Sequence, residues 1–114
     1  MIAPVLSAVL IFAAASAGPP PYPESLACAA VTQAAAELAK DPVTGIPANP
    51  EFDNAMFWSF ATMDSAQRAG MSSARAEADQ KRDRAVEKAL LAAGDPAARA
   101  RLAACAARVP PTSG

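Results

Sequence analysis

Histidine is absent from this chain of 114 residues, and aromatic side chains are scarce. The first absence removes the commonest general base and the commonest neutral metal ligand. The second leaves few large side chains for a sheet core. Neither sign of charge dominates, with 10 basic against 11 acidic side chains. No overall field therefore argues for nucleic acid or an anionic membrane surface. The chain has no haem-attachment C-x-x-C-H, no phosphate-binding loop and no G-x-S-x-G elbow. The oxygen-bearing residues between Asp41 and Asp53 lack the alternating spacing of a calcium loop. Glu37 and Asp64 are carboxylates with no partner in a recognisable catalytic arrangement. The sequence thus nominates no catalytic, metal or cofactor residue.

What is present is alanine, in helix-favouring abundance. The start, MIAPVLSAVLIFAAASA, carries an apolar run from Val5 to Ala15 and small residues at Ala15 and Ala17. This is the hydrophobic stretch and A-x-A pattern of a secretory signal peptide over residues 1–17, cut before Gly18. No Lys or Arg precedes the run and Pro4 interrupts its start. An uncleaved anchor is the competing reading, but a spanning helix needs ~20 apolar residues. Cleavage leaves no stable membrane insertion. Leu26 stands one place out of register for a lipoprotein signal at Cys28.

Residues 18–23, GPPPYP, form a Pro-rich spacer in polyproline II conformation. A helical domain is expected over residues 24–109. The first helix runs from about Glu24 to Lys40, with Cys28, Val31, Ala35 and Leu38 on one stripe. Asp41 to Pro50 is a Pro- and Gly-rich loop. Asn49 caps a second helix with Pro50 at its first position. That helix reaches at least Ala69, and Phe52, Met56, Phe60 and Met63 fall within a narrow arc as its largest core residues. Gly70 to Ser73 reads as a break, with one long fused helix as the alternative. The third helix, from about Ser73 to Ala93, has a small-residue stripe of Met71, Ala74, Ala78, Ala85, Ala89 and Ala93. Arg82 interrupts that stripe, and the mixed charges from Arg75 to Lys88 read as a solvated face. Gly94-Asp95-Pro96 stops one helix and starts the next. The last runs to about Arg108, with Ala98, Leu102, Cys105 and Val109 as its stripe. Residues 110–114 read as a flexible tail. The expected fold is therefore all-α: a small antiparallel bundle of about four helices.

Cys28 and Cys105 lie on the core stripes of the first and last helices. Exactly two cysteines in an exported protein read as one disulfide. A bridge between them closes a loop worth about 4.5 kcal/mol in the chain-entropy account.

Trp58 lies almost opposite the Phe52–Met56–Phe60–Met63 arc, with Thr62 on its side and Phe57 on its flank. The second helix is therefore apolar nearly all round, which suits a central helix or one with a second face for a partner. Trp58 either packs between two neighbouring helices or is an exposed anchor. The sharper expectation is that Trp58, Phe57 and Thr62 mark an interaction surface.

Charge divides along the chain. Residues 18–67 hold one base and six acids; from Arg68 onward there are nine bases and five acids. The two halves either neutralise each other across helix faces or support head-to-tail association. The functional expectation is a small exported, periplasmic or secreted, non-enzymatic binding module of the bacterial envelope. Its partner is an unidentified protein or a second copy. The alternatives are a periplasmic stress chaperone or inhibitor-type protein, and then a small enzyme.

Overall fold

A computed structural model describes residues 19–111. The expected signal segment, Gly18 and the last three residues lie outside that range. The described residues form four helices: α1 (Tyr22–Leu38), α2 (Glu51–Arg68), α3 (Ser73–Ala92) and α4 (Pro96–Ala107). No strand occurs among them; Lys40 and Pro47 make an isolated antiparallel bridge. The all-helical bundle expected from the stripes is the observed fold.

Helix boundaries follow local chemistry. α1 begins two residues earlier than expected, because Pro23 sits in its first turn. The missing N–H of a proline costs nothing there. It ends two residues early because the next backbone groups find other partners. The Asp41 N–H donates to the Ile46 carbonyl at 3.0 Å. The Asp41 carboxylate accepts from the Val43 and Thr44 N–H groups at 2.7 and 3.1 Å. Asn49 does not cap α2: Pro50 occupies the cap position and no side chain bonds there.

The break between α2 and α3 is real. Gly70 has φ +73°, and the Met71 N–H reaches back to the Ala66 carbonyl at 2.9 Å. This left-handed closure suits glycine because it has no Cβ to clash. Ser72 then caps α3 by accepting from the Arg75 N–H. The same device recurs at Gly94 (φ +76°), followed by Asp95, which accepts from the Ala98 N–H at 2.9 Å.

The central helix is α1, which packs against all three others. Its buried positions, Ser25, Cys28 to Thr32 and Ala34 to Ala36, cover almost its whole circumference. Alanine makes this workable, since short side chains let three helices approach one axis. α2 offers α1 an equally small face of Ala55, Thr62, Ser65 and Ala66, with Trp58 among them. Three of the buried hydroxyls are satisfied locally, while that of Ser25 has no partner among the described residues. Thr32 donates to the Cys28 carbonyl, Thr62 to that of Trp58 and Ser65 to that of Thr62, at 2.7, 2.7 and 3.0 Å. A hydroxyl bonded to its own helix can be buried without the penalty of an unpaired polar group.

Two expectations about packing are overturned. Phe52, Met56 and Phe60 are not core residues: they are 42%, 39% and 66% exposed. On α3, Ala74, Ala78, Ala85, Ala89 and Ala93 face solvent, while Ala76, Gln80 and Glu87 are buried. An alanine gains little from burial. The polar row can turn inward because α1 and α4 supply it with partners.

Candidate interaction surface

The sequence pairs the α2 helix with two faces, and the structure shows which is occupied. Trp58 is 1% exposed and sits in the main core with Cys28, Ala29, Val31 and Cys105. Its indole N–H donates to the Cys105 carbonyl at 3.0 Å. The Arg108 guanidinium lies 5.0 Å from the ring centroid. Phe57 stands edge-on to it at 5.2 Å. Arg108 is itself held by Glu24 at 3.3 Å. The expectation of an exposed Trp58 anchor is therefore corrected. Thr62 is also fully buried, and Phe57 is half-buried against the core. Burying an indole of ~200 Å² is worth roughly 5 kcal/mol as an upper figure.

Cys28 and Cys105 form the expected bridge between first and last helices, with Cα atoms 5.4 Å apart. That lies within the ordinary bridging range. The bridge, the indole and the half-buried Leu91, Leu102 and Val109 make one cluster that ties α4 onto α1 and α2.

With Trp58 turned inward, the opposite side of α2 is left open. Phe52, Met56 and Phe60 recur at intervals of four and so share one outward face. Met63, the last member of the expected arc, is half-buried and accepts from the Gln80 side-chain amide of α3 at 3.2 Å. The open row is therefore three residues long. Asp53 and Asp64 flank it, and Asp64 pairs with Arg68 one turn on.

A polar seam between α1, α2 and α3 was not singled out in the sequence. The Gln33 amide donates to Ser59 at 2.8 Å and to Gln80 at 2.7 Å. Its oxygen accepts from Arg84 at 3.1 Å. Arg84 and Lys88 both hold Glu37, each at 3.0 Å. The Lys88 hydrogen bond is the main reason the Glu37 carboxyl is held below the usual glutamate range. The available signal was spacing: Gln33 and Glu37 are four apart, as are Gln80, Arg84 and Lys88. Each set therefore lines one helix face.

Other charges are also paired. Glu87, largely buried, takes a two-pronged bond from Arg101 at 2.6 and 3.1 Å. Arg82 stays exposed and pairs with Asp79 and Asp83 of its own helix. The Tyr22 hydroxyl donates to Asp79 at 2.7 Å. Partial burial, and then that bond, push its pKa up to about 12. The two halves of the charge division do meet within the molecule. Glu37 with Arg84 and Lys88, and Glu24 with Arg108, all pair the acidic half with the basic half.

Among the described residues, no group of three or more potential ligands is placed to hold a metal ion. None of their helices is long and apolar enough to cross a membrane. A cleft of about 190 Å³ between α1, α3 and α4 is floored by Ala27 and Ala30 and closed by the Glu87–Arg101 pair. It holds no nucleophile or unpaired acid. No protein-family model, curated protein or solved structure matches this chain.

Proposed function

We propose that this is a small exported binding module of the bacterial envelope, without catalytic activity, whose working surface is the outward face of α2. One observation carries the reading: Phe52, Met56 and Phe60 form a contiguous open row on a helix whose opposite side already packs the core. Soluble proteins seldom leave large apolar side chains grouped in this way unless something covers them. The Cys28–Cys105 bridge supports export, because such bridges persist in oxidising compartments.

Two measurements test the proposal. Mass spectrometry of the mature chain should find Gly18 as its first residue. A photo-crosslinking side chain at position 60, irradiated in the native envelope, should give a discrete adduct. The same group at exposed Ala85 on α3 should give none. A mature chain retaining residues 1–17 would refute cleaved export, and adducts independent of position would refute the surface.

A second reading, a stress chaperone or inhibitor-type protein, draws support from a core whose only large, fully buried aromatic among the described residues is Trp58. Such a core could open to expose more apolar surface. Binding of a surface-sensitive dye that rises sharply with acidification, while the helix signal persists, would favour it over a rigid module.

A further inference from the structure

All four helices meet at one hollow. Leu38 ends α1, Glu51 begins α2, Leu91 lies in the last turn of α3, and Arg99 and Leu102 stand on α4. Together they line a space of about 300 Å³. Its walls are aliphatic. Leu38 is 46% exposed, and Leu91 and Leu102 are half-buried, packed on their other side against the core cluster. Its charged members are one acid and one base.

Neither charge is answered within the protein. The Glu51 carboxylate holds one oxygen, Oε2, buried with no hydrogen-bond partner among the described residues. An ionised oxygen kept from water and left unbonded is costly, and such atoms nearly always have a partner. Glu24, Glu37 and Glu87 each pair with a base on another helix. Glu51 does not. Arg99 likewise makes no ion pair among the described residues, with Glu51 or with any other acid. Its guanidinium lies against the α3–α4 turn, with Nη2 3.4 Å from where a Cβ on Gly94 would stand.

We propose that this hollow binds a small apolar zwitterion of the α-amino-acid class. The ligand ammonium donates to Glu51 Oε2, the ligand carboxylate accepts from the Arg99 guanidinium, and the aliphatic side chain covers the three leucines. A fatty acid would answer Arg99 but bury Glu51 further without a partner. A simple amine would answer Glu51 and leave Arg99 alone. A molecule carrying both charges and an apolar body satisfies all three features. The space is at the small end of ligand pockets, which suits a single amino acid. Few contacts and an open rim make the site weak, with a Kd on the order of 1 mM. It shares no lining residue with the outward row of α2, so the two surfaces stand or fall separately.

The test is a methyl-NMR titration of the disulfide-bonded protein with L-leucine, up to about 10 mM. The methyl signals of Leu38, Leu91 and Leu102 should move saturably. Glycine has both charges and no side chain; N-acetyl-L-leucine and L-leucinamide each lack one charge. All three should bind about 10-fold more weakly. Glu51→Gln should weaken L-leucine by about 10-fold and abolish its advantage over N-acetyl-L-leucine. Arg99→Gln should do the same relative to L-leucinamide. Neither variant removes a bond made within the protein, so ligand-free melting temperatures should match the wild type. A loss matched to one ligand group is not what a folding defect produces. The absence of saturable methyl shifts overturns the proposal, as does equal binding of L-leucine and its two singly charged derivatives. Decanoate binding more tightly than L-leucine, and indifferent to Glu51→Gln, would make this a site for carboxylates alone and overturns the zwitterion.

Discussion

The indole N–H of Trp58 donates to the backbone carbonyl of Cys105 at 3.0 Å, so the largest buried side chain of α2 is bonded to the residue that closes the disulfide. Three helices meet at this point. α1 supplies Cys28, α2 the indole, and α4 both the other sulfur and the hydrogen-bond acceptor. Arg108 covers the ring and is steadied by Glu24 near the start of α1.

Loss of this hub should be costly. Trp58→Ala should destabilise the protein by ~3–5 kcal/mol, by the combined loss of burial and creation of a cavity. Trp58→Phe keeps most of the apolar area but removes the indole bond to the Cys105 carbonyl, which still accepts from the Arg108 N–H at 3.2 Å, for a loss of about 1 kcal/mol. Chemical denaturation with far-UV circular dichroism measures both. Emission from this single tryptophan should be blue-shifted and protected from a soluble quencher. Emission typical of a water-exposed indole would contradict the burial.

The bridge spans 77 residues. Reduction should lower stability by as much as about 4.5 kcal/mol in the chain-entropy account. That is a large share of what a domain of this size possesses. The melting temperature with and without a reductant measures it. Thiol labelling of the denatured, unreduced protein should find no free cysteine. Two labelled thiols would show that the bridge is not formed.

The polar seam should set the acid limb of stability. Lys88 and Arg84 hold the Glu37 carboxyl below its ordinary range, so its contribution is fully present above the unfolded value. It is lost as pH falls through the lower folded one. Glu37→Gln should cost about 1 kcal/mol at neutral pH. It should also flatten the dependence of stability on pH in the carboxylate range. An acid limb identical to the wild type would show that other carboxylates carry it.

The alkaline limb should report Tyr22. Its folded pKa is raised from 10.0 to about 12. Above pH 10 the unfolded chain releases this proton while the folded chain retains it, so stability declines as pH rises through that window. Tyr22→Phe should remove this part of the decline. It should also free the Asp79 carboxylate from its hydroxyl donor at the start of α1. Ultraviolet titration of the single tyrosine of the chain follows the same event directly.

The local elements were legible from residue order alone. Gly70 and Gly94 end helices because only a residue without Cβ takes φ near +75° at no cost, and Ser72 and Asp95 cap the next helix because their oxygens reach its free N–H groups. The burial of Cys28, Val31, Ala35, Ala98 and Cys105 was legible too, since a buried residue repeats at helical spacing, although Leu38 at the end of the first stripe is exposed. The faces of α2 and α3 were not. Periodicity shows that Phe52, Met56 and Phe60 share one side of a helix, and that Trp58 lies on the other. It does not say which side meets α1.

That choice belongs to tertiary packing. α1 is lined with alanines, so the helix face that fits closest against it is the one with Ala55, Thr62, Ser65 and Ala66, and Trp58 enters with that face. A bulkier row would hold the axes apart and leave voids between them. The same argument turns the charged row of α3 inward, because Glu37 on α1 and Arg101 on α4 wait there with opposite charge. Sequence by itself determined four helices, the stops at Gly70 and Gly94 and the closing disulfide, each a matter of residues within a few places or of two cysteines alone. Which face of each helix is buried was decided only in three dimensions, by the fit of small side chains and by pairs of charges up to 84 residues apart.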